Sequence, residues 1–479
     1  MNNNKVIIAL SALSIYELNR LQKFVNSPYF NKNEKLISHF DYIFHSIKLD
    51  QQAPVDKLEV WRHTFGKKSF NDTKFRKLNT DLLRLIEEFF AIEGFQKNPL
   101  HKANYLLKAI AEKKIEKLYN STLNTVDRLS RYQLEKGSSY FYYQYQIEKN
   151  IFNLTTQYEK KSKSKSDQID LNITRIVNNL DIFFLTEKMK YYNSLYSWKN
   201  ISKNDEQIRF IDDLIENIQK IDFKAFPILH GHYLVYLTTS QPDHKLHFEN
   251  LKKVIRENVN VFPLSEMKII FDSACNYCVR KVNIENEFYY RELFKLYEFG
   301  MSNEIFLEAG ELDPALFRNI VIIALRLNNF EWVEKFISDY SGFLNEKYRQ
   351  NAISFNLARL YWYEKKFDEV LKQLRDVEYD DIFYNLNSKV ILLSTYYELD
   401  EYDALDFLIK SFKVFLRRKN NLPDRMKSNY LNFTKYLERL TKVSMGDKQK
   451  IDLFKKNLEK ESLVSSKFWL LEKAEELAG

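Results

Sequence analysis

Apolar residues recur at three- and four-residue spacing along most of this chain, and the first clear run carries its own start signal. Ser14 followed three residues later by Glu17 reads as a capping box, in which hydroxyl and carboxylate satisfy each other's backbone N–H groups. Leu18, Leu21, Phe24 and Val25 then fall on one helical face. That helix should end at Ser27, because the residue before Pro28 is pushed out of the α region. Asn31 with Glu34 repeats the cap signature, and Leu36, Ile37, Phe40, Ile43, Phe44 and Ile47 form the next apolar face. The stretch KFVNSPYFNKNEKLISHF is therefore predicted to be a corner between two helices, with Tyr29 and Phe30 plugging it against neighbouring helices. A third helix is expected over 55–65, closed by Gly66 as a left-handed cap. Asn71 or Asp72 should open a fourth, whose Phe75, Leu78, Leu82, Leu83, Leu85, Ile86, Phe89 and Phe90 make a broad apolar face. These elements predict a helical module over 1–98.

From 99 to 310 the pattern is one of irregular helical hairpins. Pro227, Pro242 and Pro263 mark helix boundaries, and the low-complexity stretch QYEKKSKSKSDQ reads as a solvated loop. Residues 315 to 410 repeat. ALRLNNFEWVEKF, YWYEKKFDEVLKQL and YYELDEYDALDFL superpose with Ala324, Tyr361 and Tyr396 equivalent and with Phe330, Phe367 and Tyr402 equivalent. Each of these aromatics is followed by an acid, Glu331, Asp368 or Asp403, which suits the start of a second helix. The repeats are assigned to 311–445, and capping helices ending in WLLEKAEEL to 446–479.

Composition narrows the fold class. The 479 residues include 9 Gly and 8 Pro, where ordinary usage of Gly would give roughly three times as many or more. So few turn formers disfavour all-β and βαβ architectures and leave an all-α chain. No apolar run approaches 18 residues, and the opening MNNNKVIIALSAL has one Lys and no clear cleavage site, so neither a membrane span nor a signal peptide is expected. Two Cys fit a reducing compartment, and a cytoplasmic location is expected. The net charge of +8 is uneven: residues 1–166 hold 28 Lys and Arg against 17 Asp and Glu, and the remainder 45 against 48. An acidic partner would therefore be sought in the N-terminal third.

Two resemblances arise from these motifs. NSPYFNKN, FGKKSFNDTKFRKLNTDLLRLIEEFF and KFWLLEKAEEL together resemble a group of helical proteins from Bacteroidota, a likeness that implies a helical fold and no chemistry. The repeats, spaced by 37 and 35 residues, resemble the 34-residue tetratricopeptide unit over about a fifth of the chain. The match departs from that family at Val321 and Leu393 beside Ala358, at Val333, Val370 and Leu405, and in lacking the closing Pro. The resemblance implies an α-solenoid of stacked helix pairs whose first helices line a concave face. Carried over position by position, that face holds Arg318, Arg326, Phe355, Arg359, Trp362, Tyr363, Asn387 and Tyr397. Arg, Trp and Tyr dominate interface energetics, and some of these residues would instead fill the seam between repeats.

Candidate chemistry is sparse. Phosphate-cradling loops need clustered Gly, and no two Gly lie closer than Gly300 and Gly310, so nucleotide loops and nucleophile elbows are excluded. Cys275 and Cys278 have C-x-x-C spacing, yet within a helical pattern they read as small core residues. His230, His232, His244 and His247 could converge on a metal, but no Glu stands between the second pair and a solvated cluster is expected. Lys67, Lys68, Lys74, Arg76 and Lys77 interleaved with Phe70 and Phe75, and Lys160, Lys161, Lys163 and Lys165 further on, suggest nucleic-acid binding. The sequence thus predicts a non-catalytic scaffold or adaptor without cofactor that binds a protein or peptide through its repeats. RNA or DNA binding through the N-terminal third is the alternative, and an enzyme with an unrecognised site comes third.

Overall fold

The computed structural model describes residues 4–49, 55–158, 172–199, 209–282, 286–375, 382–419 and 422–479. Among them are twenty-three α-helices and one two-stranded hairpin, the all-α class implied by the scarcity of Gly and Pro. The chain divides into two compact units, the first comprising residues 1–229 with 260–262 and the second 230–259 with 263–479. The division falls elsewhere than the boundaries at 98, 310 and 445 read from sequence.

The first unit opens with α1 (Lys5–Ser11), α2 (Ile15–Val25), α3 (Glu34–Leu49), α4 (Lys57–Phe65) and α5 (Asp72–Lys97), which share one core running from Val6 to Phe89. The apolar run VIIAL is helix α1, started by the Asn4 side chain and buried through Val6, Ile7 and Leu10. The capping box at Ser14 and Glu17 forms, and Asn71 caps α5. The cap of α3 is Asn33, which accepts from Lys35 and Leu36, rather than Asn31. Asn31 is buried instead and donates to the Val25 carbonyl at 3.0 Å, tying the corner to the end of α2. This splits the two aromatics of the corner. Phe30 stacks on Phe24 at 4.1 Å and plugs it, whereas Tyr29 is 87% exposed. Phe90 also departs from the expected core face and is exposed. A second core joins α6 (Pro99–Lys113), α7 (Tyr119–Tyr132) and α8 (Ser138–Tyr158), and α9 (Ile173–Lys199) and α10 (Ile211–Ile218) complete the unit.

The second unit begins inside α11 (Pro227–Ser240) and continues with α12 (Lys245–Glu257), α13 (Leu264–Val282) and α14 (Asn286–Ser302). A hairpin of β1 (Leu307–Glu308) and β2 (Glu311–Leu312) leads into α15 (Pro314–Arg326) and α16 (Phe330–Tyr340). Then come α17 (Glu346–Tyr363), α18 (Phe367–Arg375), α19 (Ile382–Glu398), α20 (Tyr402–Arg418), α21 (Asp424–Leu440), α22 (Lys448–Lys460) and α23 (Lys467–Glu476). From α12 to α21 each helix packs on its chain neighbours, and α15, α17 and α19 also touch one another in turn. This is the stacked-pair arrangement of an α-solenoid.

The register of the repeat is visible in its turns. After α15, α17 and α19 the chain passes through Asn328, Lys365 and Asp400, with φ of 56°, 59° and 55°. The next residue donates its N–H five positions back in register: Asn329 to Ala324, Lys366 to Tyr361 and Glu401 to Tyr396, at 3.1, 2.8 and 2.9 Å. These are Schellman caps whose acceptors are the three residues aligned from sequence. The small and aliphatic positions match as well, with Val321, Ala358, Leu393, Val333, Val370 and Leu405 all buried.

Candidate functional site

The first helices of the repeat each present an i, i+4 stripe: Arg318, Ile322 and Arg326 on α15, Phe355, Arg359 and Tyr363 on α17, and Asn387 and Ile391 on α19. Part of this surface borders a cleft of about 560 Å³ in the second unit. Arg326, Arg359, Trp362 and Tyr363 line one side with Leu325, Val390 and Ile391, and the C-terminal residues Lys467, Phe468, Trp469 and Glu472 supply the other. Its size falls within the range of ordinary ligand pockets.

Four of the eight positions read from sequence thus meet in one cleft, and the other four have different surroundings. Phe355 is fully buried, its ring 5.0 Å from Tyr384, so it fills the seam between helices and presents nothing to a partner. Arg318 lays its guanidinium on the Phe383 ring at 3.7 Å. Asn387 bonds the Phe383 carbonyl and interacts with Tyr430. Tyr397 packs edge-on against Trp469 at 5.5 Å, and desolvation pushes its hydroxyl up to about 12.

The second wall was not assigned from sequence. Helix α23 docks through Trp469, whose Nε1–H donates to Glu398 Oε1 at 2.7 Å, and through Lys473, which pairs with the other Glu398 oxygen at 2.9 Å. Trp469, Leu470 and Ala474 join the core formed by α19 to α22, so repeats and C-terminal helices share one interior. Lys467 turns its ammonium onto the Glu459 and Glu461 carbonyls at 2.8 Å, which satisfies the end of α22. Phe468 remains 76% exposed at the cleft.

The electrostatics of the first wall are one-sided. Arg359 is half-buried over the Phe355 ring at 5.1 Å, and desolvation, reinforced by Arg318 and Arg326, lowers its guanidinium to about 10 while Tyr363 and Tyr430 oppose the shift. No carboxylate pairs with Arg326 or Arg359 among the described residues. Trp362 buries its Nε1–H without an acceptor among those residues, an arrangement that costs about 1–3 kcal/mol in general.

A larger cavity of about 800 Å³ gathers Asp272, Glu308, Glu311 and Asp313 around the hairpin. Three of these acids are engaged structurally, Glu308 by Lys268, Glu311 by Asn345, and Asp313 as the cap of α15, while Asp272 is half-buried and desolvation raises its carboxyl. The remaining sequence candidates are dispersed. Cys275 and Cys278 are buried in α13, and burial raises both thiols, Cys278 to about 12. His232 is buried with its Nε2 3.7 Å from Glu266, while His230 is half-buried and His247 contacts Gln241. His244 lies 5.6 Å from His247, and no three potential ligands converge on a metal position among the described residues.

Lys67, Lys68, Lys74, Arg76 and Lys77 are all exposed at the α4–α5 turn and the first turns of α5. Asp72 pairs with both Arg76 and Lys57, Phe75 is buried, and Phe70 is partly covered by Trp61 and Lys57. Lys160, Lys161, Lys163 and Lys165 lie outside the described residues. No described helix is long and apolar enough to cross a membrane. Compared with known protein families and with curated proteins, the chain matches none of them.

Proposed function

We propose that this chain is a non-catalytic scaffold or adaptor that holds a peptide segment of a protein partner in the cleft between its tetratricopeptide-like repeats and α23. The observation that supports this reading is the meeting of Arg326, Arg359, Trp362 and Tyr363, from two helices, in one cleft walled by a third. Large rigid aromatics beside a guanidinium are the composition of an interface anchor. Aliphatic Ile322, Val390 and Val464 supply apolar area around it. The test is affinity purification from the cells that make the protein, with and without nuclease, comparing the native chain with an Arg326→Glu/Arg359→Glu variant whose helicity is checked by circular dichroism. A partner that survives nuclease and is lost from the folded variant is expected. Undiminished capture by the variant would move the site elsewhere.

Nucleic-acid binding through the first unit is the second reading, favoured by the five exposed cations of the α4–α5 turn and the first turns of α5. It predicts binding that falls steeply with salt and on reversal of Arg76 and Lys77. The scarcity of free aromatic faces beside those cations places it second.

A further inference from the structure

Half-buried cations in proteins are ordinarily matched by carboxylates, because an unpaired charge out of water is unfavourable. Several buried lysines of the second unit follow that rule, while half-buried Arg349 and Lys467 are satisfied by backbone carbonyls instead. Lys252 is paired with Glu249 and Glu292, Lys473 with Glu398 and Glu476, and Lys281 with Asp243. The cleft breaks it. Half-buried Arg359 and, at the rim, exposed Arg326 line the same space with no carboxylate within ion-pair distance among the described residues, and the acid in the lining, Glu472, belongs to α23. Arg359 is the desolvated member, and its charged neighbours are further guanidiniums. Two of these groups are held against ring faces, Arg359 on Phe355 and Arg318 on Phe383, which fixes their planes before anything binds.

We propose that the cleft takes a doubly charged oxyanion, a phosphoryl group carried on a side chain of the partner peptide, with a large apolar residue beside it against Trp362 and Tyr363. Arg326 and Arg359 grip the phosphoryl oxygens as charge-assisted donors. Two unpaired positive charges are balanced by a dianion and left half-compensated by one carboxylate. The apolar neighbour follows from Leu325, Val390, Ile391 and the indole, which line the cleft beside the guanidiniums. This inference rests on the scaffold reading and specifies its ligand.

Three arms test it on the full-length protein. Inorganic phosphate should raise the melting temperature and change tryptophan emission saturably, while acetate and chloride at matched ionic strength should not. A labelled peptide with phosphoserine beside leucine should bind at least tenfold more tightly than its glutamate and serine counterparts, and more tightly than free phosphate. Arg359→Gln should lose tenfold or more, and Arg326→Gln, at an exposed position that folding does not depend on, should show the same direction of loss. Equal effects of acetate and phosphate, equal binding of the three peptides, free phosphate binding as tightly as the phosphopeptide, or undiminished binding by folded Arg326→Gln and Arg359→Gln would each overturn the proposal. Phosphatase treatment of the cell lysate separates this inference from the reading beneath it. Capture lost in Arg359→Glu yet indifferent to phosphatase leaves the scaffold and removes the phosphoryl group, whereas capture indifferent to both removes both.

Discussion

His39 shows how much one buried side chain can say. It is fully buried in α3, 5.2 Å from the Phe75 ring and beside Thr64, and desolvation lowers its imidazole to about 4, partly countered by the neighbouring Asn79 side chain. A base with a depressed folded pKa is bound more weakly by protons in the native state than in the unfolded chain. Its full contribution to stability is therefore present above about pH 6.5 and is lost as pH falls towards 4. At pH 5 the loss is expected to be about 2 kcal/mol. Hydrogen exchange of α3 amides at pH 7 and pH 5, corrected for intrinsic rates, should show that loss in the native chain and a flatter profile in His39→Gln. Equal pH dependence in the two would mean that another group controls the module. Neighbouring residues show where sequence reading stopped. The pattern offers Asn31 as the cap of α3, and it fails because Asn31 is drawn inward to the Val25 carbonyl and Asn33 accepts the first N–H groups instead.

At the scale of elements, the repeat was legible because each of its helices carries the same apolar positions, and burial of Val321, Ala358 and Leu393 sets the pairs in register. Its turns were not, because left-handed residues are read from Gly and this chain uses Asn328, Lys365 and Asp400. A side chain in that region costs roughly 1–2 kcal/mol, less for Asn and Asp. Lys365→Gly is accordingly expected to stabilise the second unit by several tenths to about 1 kcal/mol after the entropy of the unfolded glycine is counted, and Asn328→Gly by less. Urea unfolding of both variants checks this, and a destabilised Lys365→Gly would contradict the strain. The second wall of the cleft was also hidden, since Glu398 and Trp469 are 71 residues apart and nothing local links them. Glu398→Gln should loosen α23 by about 1–3 kcal/mol, because Lys473 keeps only Glu476. Faster proteolysis between α22 and α23 is the expected readout, and an unchanged cleavage rate would show that apolar packing alone holds the helix.

At the scale of the molecule, charge counted along the sequence pointed to the N-terminal third, while the desolvated cation without a carboxylate partner lies in the part of the chain that is slightly acidic. The two differ because net charge adds exposed, solvated groups to desolvated ones, and only the latter create an unmet demand for a partner. Four positions carried over from the repeat resemblance meet in the cleft, and Phe355 shows the limit of that procedure, since spacing assigns a helix face without saying how closely the next helix covers it. The most direct measurement replaces Phe468, exposed at the cleft, with a photo-crosslinking residue in the cells that make the protein, and compares it with the same replacement at exposed Tyr29. The scaffold account predicts a discrete protein adduct from position 468 that survives nuclease and disappears when Arg359→Glu is added. Adducts from position 29 with none from 468, or a 468 adduct indifferent to Arg359→Glu, would contradict it.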